Sequence, residues 1–552
     1  MTTIIRALKR RAQVARTGDE GSALILVIGL GMTLTLVLTG LSGYALQGYV
    51  ASKDRADWTS AIGAAQAGID DYLSRVNDDE TYWTRGNTDA TNPAFAGWTA
   101  VPGSQNGAVY RYSVDTSGTG ANGLVRLTSS GKVDGEVRTV ATTLRKGRFF
   151  DFVYFSDFET GDPDNPLFYS NSYWDSRDES AICGRYNWAS GFNSRNSNCP
   201  RIYWRNDEVV GKFHTNDTFF VSGSPRFNGT VTSGCPVVQV GDPCRGRDVY
   251  VTDPNNDTNP QFASRPTGGV ILPLPASNAQ IRREADPSQG GQGCLYTGPT
   301  RIVLKSNGRM AVNSPSTTGS NVPTCGVGAN ATLPANGVIY VQNVPSSTSN
   351  PQTCRSGRPW VTTPSGTTLD ATSGGTSYPL SNDRTSWNCR AGDVFIEGTL
   401  AGQLTIATEN DIVLTGNLRY ANGSSGNDVL GLIAQNNVTV YHPVDRDGDE
   451  ILSSSRMRNP EIWAATLSVA HSFNVQNYNA GSTKGTLTVR GSIAQKWRGA
   501  VGTFSGNTSQ TGYAKDWQYD QRLAYLAPPK FLDPVAAAWI VGETAEAPPI
   551  AP

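Results

Sequence analysis

Charge is scarce in this 552-residue chain. Asp, Glu, Lys and Arg make up only 17% of it, and the formal net charge is −1. A near-neutral balance argues against a general nucleic-acid binder. Histidine is scarcer still, with His214, His442 and His471 the full set. No CxxC pair occurs among the eight cysteines, so zinc lacks its usual ligand spacing. No G-x-S-x-G elbow and no phosphate-binding loop is present. No cysteine lies before Cys183 or after Cys389, and no charge lies between Gly21 and Ser52.

What is abundant points to strands and turns. Glycine numbers 59, with many Asn, Ser and Thr beside it, a mix that suits short strands better than long helices. The 17 Phe, 21 Tyr and 12 Trp exclude simple disorder. The length allows two or three domains. The eight cysteines (Cys183, Cys199, Cys235, Cys244, Cys294, Cys325, Cys354 and Cys389) lie beyond a hydrophobic segment. Their even number reads as disulfides in an oxidising compartment, with neighbour pairing suggested by their order and connectivity left open.

The exception to the strand-rich pattern is the N-terminus. Arg6, Lys9, Arg10, Arg11 and Arg16 precede the uncharged run Ala23 to Leu46, which is long enough to cross a bilayer. The basic residues hold that end in the cytoplasm and place everything after Lys53 outside. An ordinary secretory signal would end in a cleavage site, whereas this run flows into a helix. Trp58, Ile62, Ala65, Ile69, Tyr72 and Val76 recur at three- and four-residue steps and predict one amphipathic face.

The stretches DEGSALILVIGLGMTLTLVL and AAQAGIDDYLSRV resemble the N-terminus of PilX-like minor pilins of type IV pili. The resemblance covers roughly residues 15 to 80. It implies cleavage by a prepilin peptidase between Gly21 and Ser22, with Ser22 the methylated mature N-terminus. It also implies other pilin subunits as partners and a membrane location before assembly into a surface pilus. Major pilins carry a glutamate at the fifth mature position, where this chain has Leu26. A buried ammonium without that carboxylate is costly, so the subunit is better placed at the filament tip.

The expected fold class is α+β. The domains are a leader (1–21), a transmembrane pilin helix (22–80), a small antiparallel β-meander (81–148), a large β-rich head (149–536) and a disordered tail (537–552). The meander follows from the alternation in AVYRYSVD, LVRLTSSGKV and EVRTVATTLRK. In the head, IATENDIVL and LIAQNNVTV look like copies, with Asn410 and Asn436 at matching corners. Stacked amides of this kind predict a β-solenoid, with a β-sandwich as the alternative. FHTND, VQNY, AQKWRGAVGT and KDWQYDQRLAYLAPPKFL resemble large heads on actinobacterial pilin-like proteins, a likeness that implies pilus association and no chemistry.

Candidate ligand contacts are Trp174, Trp188 and Trp204 with Arg185 and Arg205, since aromatic faces with arginine stack on sugars or single-stranded bases. A packed lid over the β core accounts for the same residues. Asp445, Asp447 and Asp449 could converge on calcium, although Gly448 is misplaced for an EF-hand and a solvated acidic turn is the default. No other cofactor is expected. His214, Asn216 and Asp217 read as a turn entering a strand. The expected function is that of a non-enzymatic minor pilin, aiding assembly and adhesion through its head. The alternatives are a DNA-capturing pilus subunit or a secreted polysaccharide-active β-helix enzyme. The enzyme would draw on Asp393, Glu397, Glu409 and Asp411.

Overall fold

The computed structural model describes residues 22–79, 81–117, 124–188, 195–235, 249–268, 271–364, 376–452, 456–506, 508–534 and 539–548. They fall into two compact units, divided after Lys146 and again after Ala537. In the first unit, helix α1 runs from Ser22 to Asp78, about 85 Å at 1.5 Å per residue. Leu24, Ile25, Leu26, Leu30, Leu36 and Leu41 in its first half are each more than half exposed. This helix is long and apolar enough to cross a membrane. Further along, Ala61, Ala64, Ala65, Ile69, Tyr72 and Val76 are buried on one face. Trp58, expected on that face, is 40% exposed, and Arg138 lies 5.8 Å from its ring centroid.

That face packs on an antiparallel meander of β1 (Thr99–Ala100), β2 (Val109–Asp115), β3 (Leu124–Val133) and β4 (Glu136–Lys146). Helix and sheet meet backbone to backbone at Gly131. A methyl group there would come within 2.1 Å of the Ala61 carbonyl oxygen and 2.3 Å of the Ala65 nitrogen. Neither backbone atom can yield. Gly131→Ala is therefore expected to cost about 1–3 kcal/mol, measured as a lower urea midpoint for this unit in detergent-solubilised protein.

The tail departs from expectation. Trp539–Glu546 forms a strand antiparallel to β4, from Trp539 opposite Lys146 to Glu546 opposite Val140. It closes a five-stranded sheet at the β4 edge. Trp539 is 3% exposed and shares a core with Tyr72, Tyr110, Tyr112 and Leu144. The segment 537–552, expected to be disordered, thus supplies an edge strand and a core tryptophan. The small unit is not contiguous in sequence, because the large unit is inserted between two neighbouring strands of its sheet.

The large unit is a parallel β-solenoid rather than a sandwich. In one track, Val394, Ile412, Val438 and Phe473 stand in register, as do Ile396, Leu414, Val440 and, on the last strand, Val475. All eight lie in the interior core. In a second track, the inward column Cys294, Ile339, Ile406, Leu432, Thr466, Ile493, Tyr154, Phe213 and Val231 crosses nine parallel strands. Short apolar strands of this kind are stable only when stacked, since a single rung cannot bury its own face.

The order of strands in that second track is not the order of the chain. Tyr154–Gly161 lies between Thr483–Arg498 and Phe213–Thr215. The chain therefore starts in the middle of the solenoid and builds outward to Thr267–Gly268. It restarts at Cys294–Thr297 and builds back until Thr483–Arg498 meets the first strand. The returning segment covers the outer face of this track. Leu272, Leu274, Ile281 and Ala285 pack with Leu295, Tyr340, Ala407, Ile433, Leu467, Ala494 and Phe155. Disulfides join Cys183–Cys199, Cys294–Cys325 and Cys354–Cys389, each to its neighbour in sequence. Cys235 is also disulfide-bonded, and Cys244 lies outside the described residues.

Candidate functional site

One corner of the solenoid carries a ladder of polar side chains, each accepting the backbone N–H of the next rung. Asp393 Oδ1 accepts from Asp411 N (3.2 Å), Asp411 Oδ1 from Asn437 N (2.8 Å), and Asn437 Oδ1 from Ser472 N (3.2 Å). Ser472 Oγ then donates to Asp162 Oδ2 at 3.0 Å. Beside it, Asn436 Nδ2 donates to Asn410 Oδ1 at 2.6 Å, the stacked amide pair expected from the sequence copies. The ladder satisfies backbone donors that a tight corner would otherwise orphan.

The ladder has an electrostatic cost. Asp393 is 1% exposed; burial, and then the neighbouring Asp411 charge, push its carboxyl well above the usual carboxylate range. Burial raises Asp411 as well. A raised folded-state pKa means that the contribution to stability is complete below the unfolded value of about 4. It is lost as pH rises through the folded value. Asp393→Asn is expected to remove most of this slope and to raise stability at pH 8 by about 1–2 kcal/mol. Urea titrations of both proteins between pH 4 and 9 measure it.

The ladder ends at a cleft of about 380 Å³ lined by Phe158, Asp162, Asp164, His471, Lys496 and Trp497, together with Ser180 and Gly184. His471 bridges two carboxylates. Its Nδ1 is 3.0 Å from Asp162 Oδ1 and its Nε2 is 3.3 Å from Asp164 Oδ2. Burial works against the charged ring, but the Asp162 hydrogen bond and the Asp162, Asp164 and Asp411 charges outweigh it and raise the pKa. A ring facing a carboxylate at each nitrogen donates through both, so imidazolium is the form that fits.

One wall of the cleft is the end of a four-ring stack. Trp497 stacks on Phe158 (4.5 Å), Phe158 on Tyr186 (5.1 Å) and Tyr186 on Trp188 (5.1 Å). Trp188 Nε1 donates to the Asn216 carbonyl at 2.9 Å. The Cys183–Cys199 disulfide closes the loop that bears Tyr186 and Trp188. Asp217, fully buried, anchors this loop by accepting from Asn187 N at 2.7 Å and by pairing with Arg195.

The residues singled out from sequence are dispersed. Trp204 is fully buried, with Arg498 4.1 Å and Lys515 5.2 Å from its ring centroid. Trp174 is 3% exposed and packs on Tyr169 and Tyr173. Arg205 bonds Asp253 (3.3 Å) and the Gly506 carbonyl (2.9 Å). Arg185 is exposed, and its carbonyl accepts from Arg195. Only Trp188 joins the stack that reaches the cleft. Asp445 Oδ1 accepts from the backbone nitrogens of Asp447 (3.0 Å) and Asp449 (2.9 Å), closing its own turn. Among the described residues, no group of three or more His, Cys, Asp or Glu could hold a metal.

His214 is buried between Thr232 Oγ1 (2.8 Å) and Asn216 Oδ1 (3.1 Å). Burial pushes its pKa down to about 4. Glu397 is buried against Arg301 and Arg456, and Glu409 accepts from Asn343 N at 2.7 Å. Gly21 lies outside the described residues, and Ser22 opens α1. The cleft residues Asp162, Asp164, His471, Lys496 and Trp497 were not picked out by sequence reasoning. The only signal was histidine scarcity, and His471 comes within reach of Asp162 only through the fold.

The architecture is α+β: a long apolar helix on an antiparallel sheet, into which a disulfide-bearing solenoid is inserted. No protein-family model matches the sequence, and a search of curated proteins finds no match. Among solved structures, the competence-associated pilin ComZ from Thermus thermophilus is similar over 89% of this chain and 98% of that one. The identity is 14% and the TM-score 0.26.

Proposed function

We propose that the chain is a minor subunit of a type IV pilus. Its solenoid is displayed at the filament tip, where it serves assembly and surface adhesion. One observation carries this reading. A helix exposed along its apolar first half continues unbroken into a second half that is packed on a small sheet, and that sheet carries the inserted head. The exposed half suits lipid before assembly and neighbouring helices afterwards. Leu26 offers no carboxylate to an N-terminal ammonium above it, which favours the tip. The carboxylates that an enzyme would use are committed within the solenoid: Asp393 and Asp411 to the corner ladder, Glu397 to buried arginines, and Glu409 to a backbone donor. These uses support a binding and structural role.

Gold labelling of the head on sheared filaments tests the position. Label confined to one end supports a tip subunit, and label along the shaft contradicts it. N-terminal sequencing of the mature protein is expected to begin at Ser22.

A further inference from the structure

The cleft at the end of the corner ladder is assembled from both ends of the large unit. Phe158, Asp162 and Asp164 come from the first strand and the loop after it. Lys496 and Trp497 come from Thr483–Arg498, the strand that pairs with it, and His471 comes from the neighbouring corner. The backbone ties these together: the His471 carbonyl accepts from Lys496 N (3.0 Å) and Trp497 N (3.2 Å). Pockets favour places where the chain order of a sheet breaks, because loops diverge there.

We propose that this cleft binds a hexopyranose unit of a surface glycan. Its size suits a mono- or disaccharide rather than a polymer strand. Part of its lining is apolar: Phe158 is half-buried in the stack between Trp497 and Tyr186, and its remaining exposed surface suits the C–H groups of a pyranose. Its rim offers both acceptors and donors, as vicinal hydroxyls require. The Asp164 side chain is 74% exposed, and the Lys496 ammonium lies 5.9 Å from the Trp497 ring centroid. Asp162 and Asp164 repel a phosphate, which disfavours a nucleic acid. His471 and Lys496 repel a metal cation. Two acids and two bases balance to a neutral site, as an uncharged sugar needs. This assignment rests on the reading that the head is displayed outside the cell. Binding by purified protein does not depend on that reading, so failure of one leaves the other standing.

The test uses the full chain in detergent, titrated by calorimetry with the methyl glycosides of glucose, galactose, mannose and N-acetylglucosamine. At least one is expected to bind. Asp164→Ala and Lys496→Met each remove a charged hydrogen-bonding group and are expected to weaken that binding about tenfold or more. Asp447→Ala, on a separate turn, leaves it unchanged and controls for a general loss of charge. Thermal unfolding confirms that the variants fold, since Asp164 is exposed. Binding weakened in both variants supports the site. Binding of none of the four sugars, or binding that survives either substitution, overturns it.

Discussion

Ending the chain after Pro534 is expected to unfold the helix–meander unit while the solenoid stays folded. The missing strand, Trp539–Glu546, supplies the whole ladder on the outer edge of β4. It also brings Trp539 into the core beside Tyr72 and Leu144. Asn77, one residue before the end of α1, clamps that tryptophan. Its Oδ1 accepts from Trp539 N at 2.6 Å and its Nδ2 donates to the Trp539 carbonyl at 3.3 Å. Trp539→Ala alone is expected to cost about 3–5 kcal/mol, against a total of about 5–15 kcal/mol for an ordinary domain. Losing the strand as well removes the hydrogen-bond partners on that edge of β4, which keeps only β3 on its other side, and leaves the edge open. The solenoid has its own cores and disulfides, so it does not depend on Trp539. Limited trypsin digestion of detergent-solubilised protein reads this out. The truncated chain is cut at Arg111, Arg126, Lys132 and Arg138, while fragments within 147–534 persist. Protection of β2 to β4 equal to that of the full chain would show that the strand is dispensable.

The same strand shows where sequence reasoning stops. WIVGETAE has the composition of a strand, but it stands next to a Pro- and Ala-rich terminus. Its partner β4 lies on the far side of the entire head. Local pattern cannot reveal a pairing whose loop is a domain. By contrast, α1 was legible because its signal is local: an uncharged run, then Ala65, Ile69, Tyr72 and Val76 on one face. The meander was legible from alternation and a short turn. The corner was legible because Asn410 and Asn436 recur at the same place in adjacent copies. The strand order within the solenoid was not. Two adjacent copies do not reveal at which rung the chain enters, and the first strand sits mid-stack. The aromatic-plus-arginine clusters were visible, and a packed lid was one reading of them, but which rings are buried was not. Trp204 and Trp188 read alike in sequence, yet one is core and the other joins the stack leading to the cleft.

The mid-stack start has a structural consequence. An inserted domain needs its two ends close together, because Lys146 and Trp539 are paired neighbours in the host sheet. A solenoid wound from end to end would separate its ends by its whole length. Here Ile493 is paired with Tyr154, so Thr483–Arg498 returns to the opening strand, and the last strand of the unit, Thr508–Tyr519, pairs beside it with Thr483–Gly491 and Glu208–Val210. The break in chain order that permits insertion is also the break that creates the cleft. Insertion and cleft are thus two results of one winding pattern.

Glu397→Ala is expected to be the most damaging single substitution in the solenoid, at about 3–5 kcal/mol. Glu397 is 2% exposed, Arg301 is fully buried and Arg456 is 7% exposed. One carboxylate serves both guanidiniums: Arg301 Nη2 pairs with Oε1, and Arg456 Nη2 lies 3.5 Å from Oε2. Both arginines also lie over the Tyr378 ring, at 4.9 and 5.8 Å. Removing the carboxylate leaves two like charges buried side by side. That penalty comes from desolvation and repulsion and does not measure the worth of the intact triad. Two comparisons separate these. Replacing all three by apolar residues, Arg301→Met with Glu397→Leu and Arg456→Met, is expected to restore much of the stability lost in Glu397→Ala. Glu461→Ala, which breaks the exposed Arg419–Glu461 pair, is expected to cost no more than about 1 kcal/mol. Urea unfolding followed by tryptophan fluorescence ranks the variants. Because the triad is shielded from solvent, the Glu397→Ala deficit should change little between 50 mM and 500 mM salt. A deficit no larger than that of Glu461→Ala would mean that water or a rearranged acceptor solvates the arginines. The buried triad would then not be part of the native solenoid.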